Sequence, residues 1–263
     1  MKQRVDLFTI AGLGMLLVPL LTMWHEIGGH AAACVVQGGH ISTLGAFYVD
    51  CDPISPTRDL VVASAGVAVN ILLACIVYRL WLRATSDMAR LILWLIWVGE
   101  GFVAAGYFCF SGVSGFGDLG TGPQGSFAHL PYPWLIRILE IAIGVPAYIL
   151  LVQQGIRSLR TMLGGGPETN TSRRRIAHGY YATAGIVAVL VGLLNPVGIV
   201  ITILSAAASS FGGLAGFISI GFAGNSESPK DFQIKRQWLL ILAGMAVTLA
   251  FAIVLGPSRH FGL

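Results

Sequence analysis

From about residue 7 to residue 36 the chain is apolar except for His25, Glu26 and His30. A helix needs roughly 20 apolar residues to cross the hydrocarbon of a bilayer. Within lipid every backbone polar group must find a partner in its own segment, which leaves the helix as the default answer for such a run. Comparable runs recur at about 60–82, 88–110, 134–154 and 238–255. The stretch 180–222 is too long for one crossing. Asn195-Pro196 divides it, because the residue before a proline is pushed out of the helical region. The reading is an all-α polytopic membrane protein with about seven transmembrane helices, six being the alternative. Composition agrees, with 55% hydrophobic and 11% charged residues against roughly 25% charged in soluble domains. The first run is too long for a cleavable leader, and no small-x-small site precedes its polar residues.

After the first span comes "QGGHISTLGAFYVDCDPISPTRD", whose weak alternation predicts a short hairpin or re-entrant segment. Four spans fill residues 1–163. Residues 164–177, "GGGPETNTSRRRIA", read as a flexible basic linker, and 178–263 read as a C-terminal module of two to three spans. The small residues of "SAAASSFGGLAGF" predict close helix packing there. Cys34, Cys51, Cys75 and Cys109 show no C-x-x-C pairing; the three in or near apolar runs, Cys34, Cys75 and Cys109, read as small buried thiols. Arg137 and Glu140, three apart on the fourth span, read as a local ion pair.

Charge orients the bundle. Of the 16 Lys and Arg, 13 lie at the N-terminus, around the turn after the second span, from the end of the fourth span through the linker, and before the last span. Only Arg58, Arg137 and Arg259 fall at the other end. The positive-inside rule puts the larger set, and the N-terminus, in the cytoplasm. His25–His30 and the loop "SGVSGFGDLG" then share the non-cytoplasmic end. The formal charge of +4 is therefore read as topology; no nucleic-acid partner is expected, and the expected surroundings are a lipid bilayer.

The three polar residues of the first span stand in "WHEIGGH". The familiar zinc motif His-Glu-x-x-His puts its histidines four apart. Here His25 and His30 are five apart. On an α-helix each residue turns about 100°, so these two rings would diverge by about 140° and could not share an ion. One widened turn, a π-bulge, realigns them. Gly28-Gly29 is the pair best able to absorb unusual backbone angles. Imidazoles and a carboxylate are zinc ligands that leave a position for water, and an unligated Glu26 is placed to take a proton from that water. Asp118, a lone acid in the glycine-rich loop at the same end, is the best third ligand; Asp50 and Asp52 are weaker competitors, and His40 and His129 are further substitutes. Ionisable groups deep in an apolar run are expensive and usually functional. By the same rule Glu100, mid-span in "WVGEGFV", is a partner of a ligating histidine, a proton relay or a helix–helix hydrogen bond.

With these residues in hand, the chain resembles the site-2 protease (M50) family of intramembrane zinc metalloproteases, most of all its short bacterial M50B-like members. "HEIGGHAAACVVQGGHI" resembles the motif helix followed by a Gly-Gly turn and a strand, in an HExxxH variant. "VASAGVAVNILLA" resembles the second signature, with Gly66 and Asn70 one turn apart, and "SGVSGFGDLG" resembles the segment that delivers the last ligand. The likeness covers about the first 120 residues, and nothing matches from Gly164 onward. It implies a metalloprotease-like core over 1–163 in a bacterial cell membrane. It also implies Zn2+ held by His25, His30 and Asp118, Glu26 as general base, and Asn70 lining the site; Gly28, Gly29 and Glu100, from the reading of the residues themselves, are further site-lining candidates. The implied reaction is hydrolysis of a peptide bond in or beside a membrane helix, on a membrane-protein or peptide substrate. The loops around Gly38-Gly39 and 115–125 are the expected polar inlet. The chain departs from the pattern in its one inserted residue and in a site facing the outer side. The rival reading is a non-proteolytic membrane transporter or a metal-binding scaffold with the same fold.

Overall fold

The first apolar run is one continuous helical rod in three registers. Helix α1 spans Leu7–Met23, a π-helix spans Trp24–Ala31, and α2 spans Ala32–Val36. Asp6 starts the rod by accepting from the Thr9 N–H at 3.0 Å, the usual way to satisfy an orphan donor at a helix start. Pro19 lies inside α1 and cannot donate to the carbonyl of Met15. Thr248, from the last helix, donates to that oxygen at 2.6 Å. The proline is thus tolerated because a neighbouring helix supplies the missing donor.

The computed structural model describes residues 4–52, 55–123, 125–199, 202–224 and 228–262, the side chains of 202–204 excepted. Its further long helices are α3 (Pro56–Trp81), α4 (Asp87–Ser114), α5 (Pro133–Leu163) and α6 (Asn170–Gly192). A second π-helix (Thr202–Gly212), the short α7 (Gly216–Phe222) and α8 (Trp238–Leu255) follow. Among the described residues, six helices are long and apolar enough to cross a membrane. The fold is therefore an all-α polytopic membrane bundle, six of whose rods meet that test by length and composition. The seventh rod, α6, falls short because it opens on Arg173, Arg174 and Arg175. Helices α5 and α8 turn Leu150, Leu239 and Leu249 outward, as lipid-facing helices do.

Two small sheets mark the ends of the bundle. At one end β1 (Arg4–Val5) pairs in parallel with β4 (Gln233–Ile234). At the other, β2 (His40–Leu44) and β3 (Val49–Asp52) form the expected hairpin, and β5 (Arg259–His260) adds to β2, in the order β3-β2-β5. The hairpin is tied to the motif rod by a disulfide between Cys34 and Cys51. That corrects the reading of Cys34 as a buried thiol. Only the folding-back of the hairpin brings the two cysteines together, and spacing alone does not reveal it. Cys75 and Cys109 are free.

Two further expectations change. Arg137 does not pair with Glu140. Its Nε donates to the Gly112 carbonyl at 2.8 Å, and its Nη2 donates to that of Val113. It thus serves the orphan carbonyls at the end of α4, and both Glu140 oxygens are buried without a hydrogen-bond partner. The stretch 164–177 is structured: a 3-10 turn at Pro167–Thr169 leads into α6, and Arg173 is buried and bonded to Thr169. The C-terminal helices pack against the first half, α6 and α8 lying along α1. Between α4, α6 and α7 sits an aromatic core of Trp94, Phe102, Tyr180 and Phe217.

Candidate metal centre

The widened turn falls where the five-residue spacing requires it. Trp24–Ala31 is π-helical, and both histidines are buried on it. Their rings meet edge to face, with Nε2 atoms 3.1 Å apart. The reason for the glycines differs from the expected one. Neither Gly28 nor Gly29 has a positive φ, so backbone freedom is not what the turn needs. Gly29 is instead where α3 crosses: a Cβ there would lie 2.7 Å from Gly66 Cα. Gly66 in turn lies under the two rings. A Cβ on it would come within 2.5 Å of His25 Cε1 and closer still to His30 Nε2. Two facing glycines let a helix backbone reach the histidines, as small residues do at membrane-helix contacts.

Asp118 arrives from the loop after α4. Gly115 and Gly117 take the left-handed conformation, at φ 77° and 88°, which only glycine adopts without strain. The loop folds back so that Asp118 Oδ2 lies 3.1 Å from His25 Nε2 and 3.3 Å from His30 Nε2. These three residues form a group that could hold a metal ion. Asp50 and Asp52 stay exposed on β3, and neither His40 nor His129 joins the group.

The outer ring nitrogens decide what the inner ones can do. His30 Nδ1 donates to the Val62 carbonyl at 2.8 Å. The Asn70 amide, oriented by its neighbours, accepts from His25 Nδ1 at 3.1 Å and donates to Glu100 Oε2 and the Gly66 carbonyl, each at 3.2 Å. With both Nδ1 atoms protonated, a neutral imidazole presents a lone pair at Nε2. Two nitrogen lone pairs and a carboxylate oxygen then converge within 3.3 Å with no donor among them. A proton satisfies two of the three at best; a metal ion satisfies all of them. The spacing fits as well. A tetrahedral ion with bonds of about 2.0–2.1 Å holds its ligands about 3.3–3.4 Å apart. Tyr107 stacks on His25, rings 5.0 Å apart and 7° from parallel, and fixes the ring plane.

Glu26 is buried and its Oε2 has no hydrogen-bond partner. It lines, with His25, Asn70 and Glu100, a cavity of about 70 Å³. The cavity's far wall comes from the C-terminal half, from Tyr180, Ser205, Ser209 and Ser210. Neither Gly38 nor Gly39 borders it, and the 115–125 loop borders only a neighbouring hollow through Gly117 and Asp118. The space beside Glu26 therefore lies between the two halves of the chain, and of the expected inlet loops only Gly117 and Asp118 border the hollow next to it. The C-terminal contribution had no sequence signal beyond the serines of "SAAASS". No family model matches this sequence, and neither a curated protein nor a solved structure matches it.

Proposed function

We propose that this chain is an intramembrane zinc metalloprotease of the site-2 type, cleaving a peptide bond in or beside a membrane helix. One observation carries the reading: three lone pairs converge at tetrahedral spacing beside a buried, unpartnered carboxylate. The donor set of two imidazoles and one carboxylate is the set that catalytic zinc takes, with a fourth position left for water. Zinc bound there supplies Lewis acidity, which lowers the pKa of a bound water and polarises a carbonyl.

The protein's own groups then have distinct tasks. Glu26 takes a proton at Oε2 from the attacking water, and later returns it to the leaving amide nitrogen. Asn70 holds the His25 ring and its tautomer, and Glu100 holds the Asn70 amide. The Val62 carbonyl does the same for His30. Such outer partners orient ligands and raise their basicity. The cavity beside Glu26 has room for several waters, since one water needs about 10–15 Å³.

Two independent features support a site facing away from the cytoplasm. Most basic residues lie at the end opposite the site. The Cys34–Cys51 disulfide lies at the site end, and disulfides persist on the oxidising side of a membrane.

The test is metal content and cleavage in one preparation. The detergent-purified chain should carry about one zinc, lost in His30→Ala and in Asp118→Ala. Glu26→Gln should keep its zinc and lose cleavage of any peptide that the wild type cuts. A wild-type chain without metal would leave a scaffold or transporter as the better account, and full activity in Glu26→Gln would remove Glu26 from the chemistry.

A further inference from the structure

The second π-helix is unexplained by the metal site. It has the same unusual register as the motif turn, and it presents Ser205, Ser209 and Ser210 to the cavity. A hydroxyl on a membrane helix usually bonds back to its own backbone. Ser210 does so, to the Ala206 carbonyl, while Ser209 reaches that carbonyl only at 3.4 Å, the weak limit for such a bond. Ser209 is therefore nearly free to serve something else.

The cavity beside Glu26 adjoins another. A hollow of about 60 Å³ is bounded by Gly117 and Asp118, and it shares Phe47, Val103, Tyr107, Ser205 and Ser209 with the first. Because one holds His25 and Glu26 and the other Asp118, the two form a single groove running past two of the three proposed ligands, His25 and Asp118, with Glu26 beside them. Val103 and Tyr107 of α4 make one side. Ser205 and Ser209 make the other, and Phe47, in the turn of the hairpin, closes the top. Further along, the hollow is narrowed by Phe110 of α4 and is otherwise lined by Gly106, Ala208 and Gly213.

A groove of this shape suits one chemistry. A polypeptide that is to be cut must be extended, and its backbone N–H and C=O groups then lose their helical partners where no water replaces them. Hydroxyls can donate and accept, and minimal side chains let a main chain come close. On the function proposed above, we infer that the second π-helix is the substrate-binding wall. Ser205 and Ser209 hydrogen-bond the main chain of an extended peptide, and the Ala208–Gly213 side admits only small side chains next to the cleaved bond.

The test uses the full chain, zinc-loaded in detergent, with Cys75→Ser and Cys109→Ser to remove the free thiols. Ser209→Cys is added, or Ser205→Cys as a second variant, with Ser219→Cys, exposed on α7, as the control. The probe is aminoethyl methanethiosulfonate, and the rate of modification is read by mass. An alanine-rich peptidyl hydroxamate at ten times its dissociation constant should slow modification of the groove cysteines about tenfold. It should leave the control unchanged. Acetohydroxamate, which reaches a metal without filling the groove, and a tryptophan-rich peptidyl hydroxamate should protect far less. With zinc bound, failure of either groove cysteine to react, or equal rates with and without the alanine-rich peptide, overturns the wall; equal protection by the tryptophan-rich peptide overturns the small-residue limit. Absence of zinc from the same sample sinks the hydrolase reading instead, so the two failures are separable.

Discussion

Gly66→Ala puts the metal centre to its sharpest test, because the added methyl presses on the two imidazoles from α3 while every proposed ligand keeps its own side chain. An ideal Cβ at residue 66 lies 2.5 Å from His25 Cε1 and 2.7 Å from His25 Nε2, where ordinary contact begins at 3.4 Å. The His25 ring must therefore move by about 0.9 Å, and His30 by more. Helix α3 can retreat only by opening its crossing at Gly29, which already sits against Gly66 backbone. Metal–ligand distances tolerate about 0.2 Å. Loss of a merely supporting partner costs about 10–100-fold in affinity, so displacing two ligands should cost at least about 100-fold, or ~2.7 kcal/mol. The assay is zinc retention against a graded chelator, with folding monitored by size-exclusion and thermal melting. Gly28→Ala is the matched control. Its Cβ would meet only the Trp24 ring, at 3.2 Å, and Trp24 is 39% exposed, so it can swing aside and zinc should stay. A folded Gly66→Ala chain that keeps zinc at wild-type affinity would show that the rings do not converge over this residue, and the metal argument would fail with it.

Asn70→Ala should weaken zinc binding by about 10–100-fold while leaving one zinc per chain at saturation, and Glu100→Gln should weaken it less, since the amide keeps its bond to the Gly66 carbonyl; a chelator titration ranks the two. Thr248→Ala should destabilise the bundle by about 1 kcal/mol by orphaning the Met15 carbonyl. In a Pro19→Ala background, where that carbonyl regains its own helical donor, the same change should cost almost nothing; equal losses in both backgrounds would contradict the pairing. Burial alone would raise the pKa of Asp6, but the hydrogen bonds from Arg236 and Thr9 outweigh it and hold the carboxyl below its ordinary 3.8. Its folded pKa being depressed, this contribution is present above pH 3.8 and fades as pH falls through the lower folded value. The melting temperature of the wild type should drop across that window more than that of Asp6→Asn, with a small difference, because Arg236 is 42% exposed.

What the sequence disclosed, and what it hid, divides along one physical line. Spans, the hairpin, the break at Asn195-Pro196 and the π-turn are consequences of local composition and of the 3.6-residue period, so they can be worked out from neighbours in the chain. His25 and His30 were legible for that reason: a five-residue interval makes sense only with one widened turn. Asp118 was legible as the lone acid in a glycine loop. The hidden features are all settled by distant segments. Glycine says only that a side chain is missing, and a sequence cannot tell backbone freedom from close approach; Gly29 and Gly66 turned out to be the second. Arg137 has an acid three residues away, yet it serves carbonyls 24 and 25 residues earlier. Trp24 donates to the Val69 carbonyl, and Thr248 reaches back to Met15 across the whole chain. In lipid no water takes up a backbone group that a proline or a helix end leaves unpaired. The side chain that does so is whichever one the packing of the bundle delivers. In water such groups are cheap and local charge pairs are a fair guess. In a membrane bundle the orphaned carbonyl outbids the nearby acid, and for that reason short-range pairing rules fail here while the long apolar periods hold.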